Sequence, residues 1–237
     1  MQAYGLQHIP QEQPEARNET HPQHRGIARQ CAAQDEQDGE ADQEAPTADA
    51  DDHPDFDILV RLLGEIRVEG GKDLKPKATA VVAYLALHRS VTTDRLEEAC
   101  WFGSDGVSHR KRLRDTMTEC RDALGSQHLP ANRAGAYVAG PRVLTDIDLF
   151  NWHVDRASKL GPTESVEQFR SALDLVSGMP FTYTNAARAS FGWVDFEHHA
   201  TTWEYRVVQV AQAFTELCID LGEPEAVIGV LRRLLQA

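Results

Sequence analysis

Residues 108–125 read SHRKRLRDTMTECRDALG, and the fold follows from what this stretch is and from what stands on either side of it. Leu113, Met117, Cys120 and Leu124 fall within about 60° of one another at helical periodicity, so they form a core stripe. Ser108 suits the N-cap, and Gly125 suits a left-handed stop. Lys111, Arg114, Thr118 and Arg121 project from one flank and the outer face, with Arg110 near the N-terminal end. Asp115, Glu119 and Asp122 are interleaved with them. Basic residues at helical spacing are usually a solvated face, and these can pair with their own acids. Charge alone does not decide what the helix does.

Its place in the chain says more. On the N-terminal side, SVTTDRLEEACW (90–101) offers Thr92 or Thr93 as a cap. Glu97 or Glu98 stands near the capping-box position, and Leu96, Ala99 and Cys100 make an inner face. Before it, Pro76 opens a helix from Lys77 to His88, where Ala80, Ala83, Tyr84 and Leu87 recur at helical spacing. Before that, ILVRLLGEIRV (58–68), followed by Gly70-Gly71, reads as two short strands or a bent hairpin. On the C-terminal side, GAYVAG (135–140) and RVLTDIDLF (142–150) are separated by Gly140-Pro141, the punctuation of a hairpin. Strands, three helices with a short second one, then a terminal hairpin: that succession is a winged helix over residues 56–146. The expected fold class is mainly α, a winged helix-turn-helix with small β elements followed by a further helical domain.

Composition bounds the partners. The 237 residues carry a formal net charge of -13. Residues 1–55 hold 13 acidic and 3 basic side chains, residues 56–146 hold 12 and 14, and residues 147–237 hold 12 and 7. The acidic balance therefore lies outside the middle third and does not argue against a polyanion there. Residues 1–55, rich in Gln, Glu, Asp, Ala, Pro and His, show no apolar period and read as a disordered acidic tail. Cys31, Cys100, Cys120 and Cys218 form no Cys-x-x-Cys pair and read as reduced thiols. The first thirty residues hold no apolar run, and no stretch is apolar for long enough to span a bilayer. The expectation is a cytoplasmic protein.

Enzyme signatures are lacking. The glycines at 103–106 and 135–140 have no strand-loop-helix context or Lys-Ser/Thr ending, and there is no Gly-x-Ser-x-Gly elbow. Glu197-His198-His199 has the residue types of a metal cluster. Adjacent histidines on one helix point to different faces, however, and no third ligand is placed, so surface histidines are the expectation. His8, His21, His24 and Cys31 in the tail support weak adventitious metal binding at most. No cofactor and no catalytic residue is expected.

The chemistry left is that of double-stranded DNA. Arginine grips a guanine edge or a phosphate bidentately, and threonine contacts phosphate or a thymine methyl. Arg110, Lys111, Arg114, Thr118 and Arg121 are the candidate readers. Arg133 and Arg142 flank the expected wing. Lys75 and Lys77, with Lys72, cluster before the first helix and suit phosphate contact.

KPKATAVVAYLALHRSVTTDRLEEACW, RKRLRDTMTECRDALG, GAYVAG and TDIDLFNWHVDRA together resemble the actinobacterial regulators of the antibiotic regulatory protein type. These join an OmpR-type winged helix to a bacterial transcriptional activator domain. The matching residues are Val91, Asp94, Arg95, Leu96 and Trp101, then Arg121, Ala123, Leu124, Gly125, Gly135 and Tyr137, then Asp146, Asp148, Leu149 and Phe150. The departures are Glu119 and Asp122, where the family helix reads SRLRRALG, and GAY in place of GGY. The resemblance implies a transcriptional regulator binding direct-repeat DNA. It also implies that residues 147–237 form a tetratricopeptide-like helical domain, an incomplete one, for self-association as a homodimer or contact with RNA polymerase. In that domain DLFNWHVDRASKL, TESVEQFRSALDLV, one long helix from Ser190 to Gly222 and PEAVIGVLRRLLQA are the expected helices. Phe150, Trp152, Phe169, Leu173, Trp193, Phe196, Trp203 and Tyr205 are expected to be mostly core. The rival reading is a protein-interaction module of the same fold that has lost DNA binding.

Overall fold

β1 (Ile58–Arg61) is buried at Ile58, Leu59 and Val60 alike, as a strand covered on both faces must be. It pairs antiparallel with β2 (Arg67–Glu69), with Val60 opposite Val68, and parallel with β5 (Val143–Thr145), with Leu59 opposite Leu144. A second small sheet joins β3 (Ser90–Thr92) to β4 (Ala136–Val138), antiparallel, with Val91 opposite Tyr137. The structure, a computed structural model, describes residues 53–101 and 109–236, and these are mainly helical with few strands. The acidic segment 1–52, the loop 102–107 and the expected cap Ser108 lie outside the described residues.

Helix α1 (Pro76–His88) starts on its proline, and Ala78 and Ala80 through Ala86 are all buried. A helix apolar on every side belongs in the middle of a core, and its alanines let neighbours approach closely. α2 (Thr93–Cys100) is capped by Thr92, whose hydroxyl accepts from the Arg95 amide at 3.3 Å. The reciprocal capping box expected there forms elsewhere. At α4 (Asp146–Ala157) the Thr145 hydroxyl accepts from the Asp148 amide at 3.0 Å, and the Asp148 carboxylate accepts from the Thr145 amide at 2.7 Å. α3 (Arg110–Leu124) buries Leu113, Met117, Cys120 and Leu124, the expected stripe.

The terminal hairpin is not formed as expected. β4 and β5 belong to different sheets and are not partners. The tight turn comes earlier: Arg133 and Ala136 exchange backbone hydrogen bonds of 3.1 and 3.0 Å, with Ala134 and Gly135 at φ +51° and +81° between them. Two consecutive positive φ angles are those of a type I′ hairpin turn. Gly140-Pro141 instead breaks the chain so that β5 can cross to β1. There Arg89, at φ +64° just past α1, donates to the Gly140 carbonyl at 3.1 Å and to that of Val143.

The C-terminal helices are α5 (Pro162–Asp174), a 3-10 turn (Asn185–Ser190), α6 (Gly192–Phe196), α7 (His199–Asp220) and α8 (Pro224–Gln236). The single long helix expected from Ser190 is therefore broken, at His198, whose φ is +55°. Phe150 and Trp193 are core, whereas Phe196 is 58% exposed and Tyr205 67%, contrary to the expectation for those two. One hydrophobic core runs through residues on both sides of position 146. Backbone bonds reinforce it: the amides of Ser177, Phe181 and Thr182 donate to the carbonyls of Leu63, Leu62 and Gly64. A Cβ on Gly64 would meet the Ser177 hydroxyl at 2.2 Å and the Gly178 amide nitrogen at 3.3 Å, so a larger residue there would have to displace the Ser177 side chain. α7, α8 and the residues after α5 leave an open apolar groove of about 730 Å³, lined by Val176, Met179, Val208, Leu231 and Leu234 among others. Among the described residues, no helix is long and apolar enough to cross a membrane.

Candidate nucleic-acid interface

α3 lies with its stripe on α1, where the Cys120 thiol sits 3.7 Å from the Ala78 carbonyl. Burial pushes the thiols of Cys100 and Cys120 up to about 12, so both stay protonated, as core residues do. With the stripe fixed inward, the helical repeat assigns the other positions. Lys111, Arg114 and Thr118 are exposed together along one strip. Asp115, Glu119 and Asp122 fall along the neighbouring strip. The two strips adjoin: Lys111 stands one turn before Asp115, and exposed Arg112 falls on the acidic side near Glu119. Among the described residues neither Lys111 nor Arg114 makes an ion pair, and Thr118 donates back to the Arg114 carbonyl at 3.0 Å.

The acidic flank faces the segment before α1. Lys72, Asp73 and Lys75 line a shallow depression with Asp115, Thr118, Glu119 and Asp122 of α3, and Lys75 lies 3.6 Å from Glu119. Lys75 remains 80% exposed in its side chain, and its nearest charge is a carboxylate of α3.

Arg110 reaches to α2, 2.6 Å from Asp94 and 3.8 Å from Glu97, and Glu97 also accepts from the His109 amide. The first turn of α2 is shared ground. The Gly135 carbonyl accepts from the Thr93 amide at 2.8 Å and its hydroxyl at 2.9 Å, while Asn132 donates to that hydroxyl at 2.8 Å. Both the I′ turn bearing exposed Arg133 and the N-terminal end of α3 are therefore moored to Thr93-Asp94.

Three of the expected contact residues are engaged in holding the fold. The Arg121 guanidinium donates to the carbonyls of Leu129 (2.8 Å) and Pro130 (3.2 Å), fixing the loop after α3. Lys77 donates to the carbonyls of Cys100 (2.6 Å) and Ala189 (3.2 Å) and stands 5.2 Å over the Trp101 ring; burial lowers its pKa. Arg142 binds Asp57 at 2.7 and 2.8 Å and also Asp55, tying β5 to the approach to β1. Its hydrogen bond holds Asp57 below the usual carboxylate range. Sequence reading missed all three because their partners are backbone carbonyls or distant acids, which no local spacing reveals.

The candidates left exposed and outside these structural contacts are Lys111, Arg114 and Thr118 on α3 and Arg133 on the turn held to α2. No protein-family model and no curated protein matches the chain.

Proposed function

We propose that the chain is a DNA-binding transcriptional regulator, in which residues 56–146 act as a winged helix and α3 reads the major groove. The observation that carries this reading is that Lys111 and Arg114 lie exposed on the outer face of α3, neither in an ion pair among the described residues. Both are on the side of α3 away from its buried stripe, Thr118 borders the acids, and exposed Arg133 sits on the turn held to the first turn of α2. Such a face is suited to phosphate and base-edge contacts, and a tight basic turn to the backbone or minor groove. The resemblance to the antibiotic regulatory protein type supports the same assignment. It extends it to direct-repeat DNA and to a tetratricopeptide-like role for the C-terminal helices in self-association or polymerase contact. The apolar groove beside α7 and α8 is in keeping with such contact.

The rival reading is a protein-contact module without DNA binding. It draws on Asp115, Glu119 and Asp122, which weaken the field that a phosphate would feel. Fluorescence anisotropy of the full chain on a pool of genomic fragments separates the two. A regulator binds a subset of fragments, and its affinity falls as salt rises. Arg114→Ala is expected to lower the preferred-to-random ratio by about 1–3 kcal/mol, the worth of one bidentate base contact. Absence of salt-sensitive binding at low ionic strength refutes the regulator reading and leaves the module.

A further inference from the structure

His198 does something that an unbroken helix would not allow. In a continuous helix Glu197 and His199, two positions apart, would point about 200° away from each other. The left-handed φ of +55° at His198 ends α6 and starts α7 on a new axis. The His199 Nε2 and a Glu197 carboxylate oxygen then lie 2.9 Å apart. A third donor comes from the last residue of α1, 109 positions upstream of Glu197: His88 Nε2 is 3.5 Å from the same Oε2. One ligand atom from each of the three residues lies within 4.8 Å of the others.

We infer that His88, Glu197 and His199 form a binding site for a single divalent cation of the zinc class. Tetrahedral zinc with bonds of about 2.0–2.2 Å sets its ligand atoms roughly 3.3 Å apart, and the two distances to Oε2 bracket that spacing. Two imidazoles and one carboxylate are the donors of an open zinc site, with the fourth position left to water. They suit zinc, cobalt or nickel rather than calcium or magnesium, which call for more oxygen.

The other half of the carboxylate is already held. Its Oε1 accepts from the Tyr84 hydroxyl at 3.0 Å and from Arg95 at 2.6 Å, leaving Oε2 turned toward the two histidines. Fixing one oxygen so that the other is presented is how outer contacts orient a monodentate carboxylate ligand. The rings are placed as well: His199 stacks on Phe181 at 5.4 Å between centroids, and His88 packs on Tyr84 at 4.3 Å. Because Arg95 opposes the ion's charge, the expected affinity is micromolar, short of that of a closed cysteine site. A bound ion would fasten the end of α1 to the start of α7.

The test uses the full chain with the tail donors replaced (His8→Gln, His21→Gln, His24→Gln, Cys31→Ser) and metal removed by chelation. Zinc chloride titrated by calorimetry is expected to bind at one equivalent, and cobalt to show the visible bands of a tetrahedral site. His88→Gln and His199→Gln should each weaken zinc binding by at least about tenfold, the loss that even an outer-shell partner causes. X-ray absorption of the zinc-loaded chain should show two imidazoles, a readout that needs no variant to fold. Fewer than two imidazoles, no binding at micromolar zinc, or parent-like zinc affinity in folded His88→Gln or His199→Gln overturns the assignment.

Discussion

Asp146 sits fully buried at the first turn of α4, where its two oxygens accept from the amide of Leu62 at 2.8 and 3.0 Å and from that of Leu63 at 3.0 Å. Burial pushes its carboxyl up to about 6, against the pull of the Leu63 and Leu62 amides and of Arg61. Between its ordinary value of 3.8 and about 6, the folded chain holds a proton that the unfolded chain has released. Stability from this group is therefore full below the lower value and is lost as pH rises through the upper one. Asp146→Asn is expected to flatten that part of a stability-against-pH curve measured by urea denaturation. Asp146→Ala should destabilise at all pH values by about 2–6 kcal/mol, since the two orphaned buried amides cost roughly 1–3 kcal/mol each. Sequence reading noted Asp146 only as part of a motif. Its partners lie 83 and 84 positions away, beyond the reach of any periodicity.

Elements show where sequence reading holds and where it fails. α1, α2 and α3 were legible because a helix places its own neighbours, so the 3.6-residue spacing of Leu113, Met117, Cys120 and Leu124 already states which face is inside. Strand partners carry no such signal. Gly140-Pro141 breaks the chain equally well for a hairpin or for a crossing. The crossing occurs because β1, apolar on both faces, would otherwise lack a second partner. The break at His198 was hidden for the opposite reason: the apolar pattern continues through it, and one residue in a left-handed turn leaves no mark on composition. The I′ turn offers a direct check. Ala134 at φ +51° occupies a conformation costing an L-residue roughly 1–2 kcal/mol, while glycine loses about 0.4–1 kcal/mol of that gain to its freer unfolded state. Ala134→Gly is therefore expected to raise stability by up to about 1 kcal/mol in thermal denaturation. A drop would mean that the turn is not populated in solution.

At the scale of the whole molecule, a net charge of -13 has to be reconciled with a polyanionic partner. Residues 1–55 carry a net -10 of it, whereas residues 56–146, with 14 basic and 12 acidic side chains, carry a net +2. Under the proposed function, Lys111, Arg114 and Arg133 are the charges that a phosphate would meet first. Asp115, Glu119 and Asp122 share a depression with Lys72, Asp73, Lys75 and Thr118. This division makes Lys75 and Lys111 unequal. Loss of Lys111 should remove one released counterion and reduce the slope of log affinity against log salt by about 0.9. Loss of Lys75 leaves Glu119 without its nearest cation, so Lys75→Ala should weaken every sequence alike, chiefly at low salt. With three or four phosphates neutralised, the full chain should lose about 40-fold to 150-fold in affinity between 50 and 200 mM salt. If Lys111→Ala keeps the parent slope while Lys75→Ala lowers it, the acidic flank and not the Lys111–Thr118 strip is what lies against DNA, and α3 docks through the opposite side.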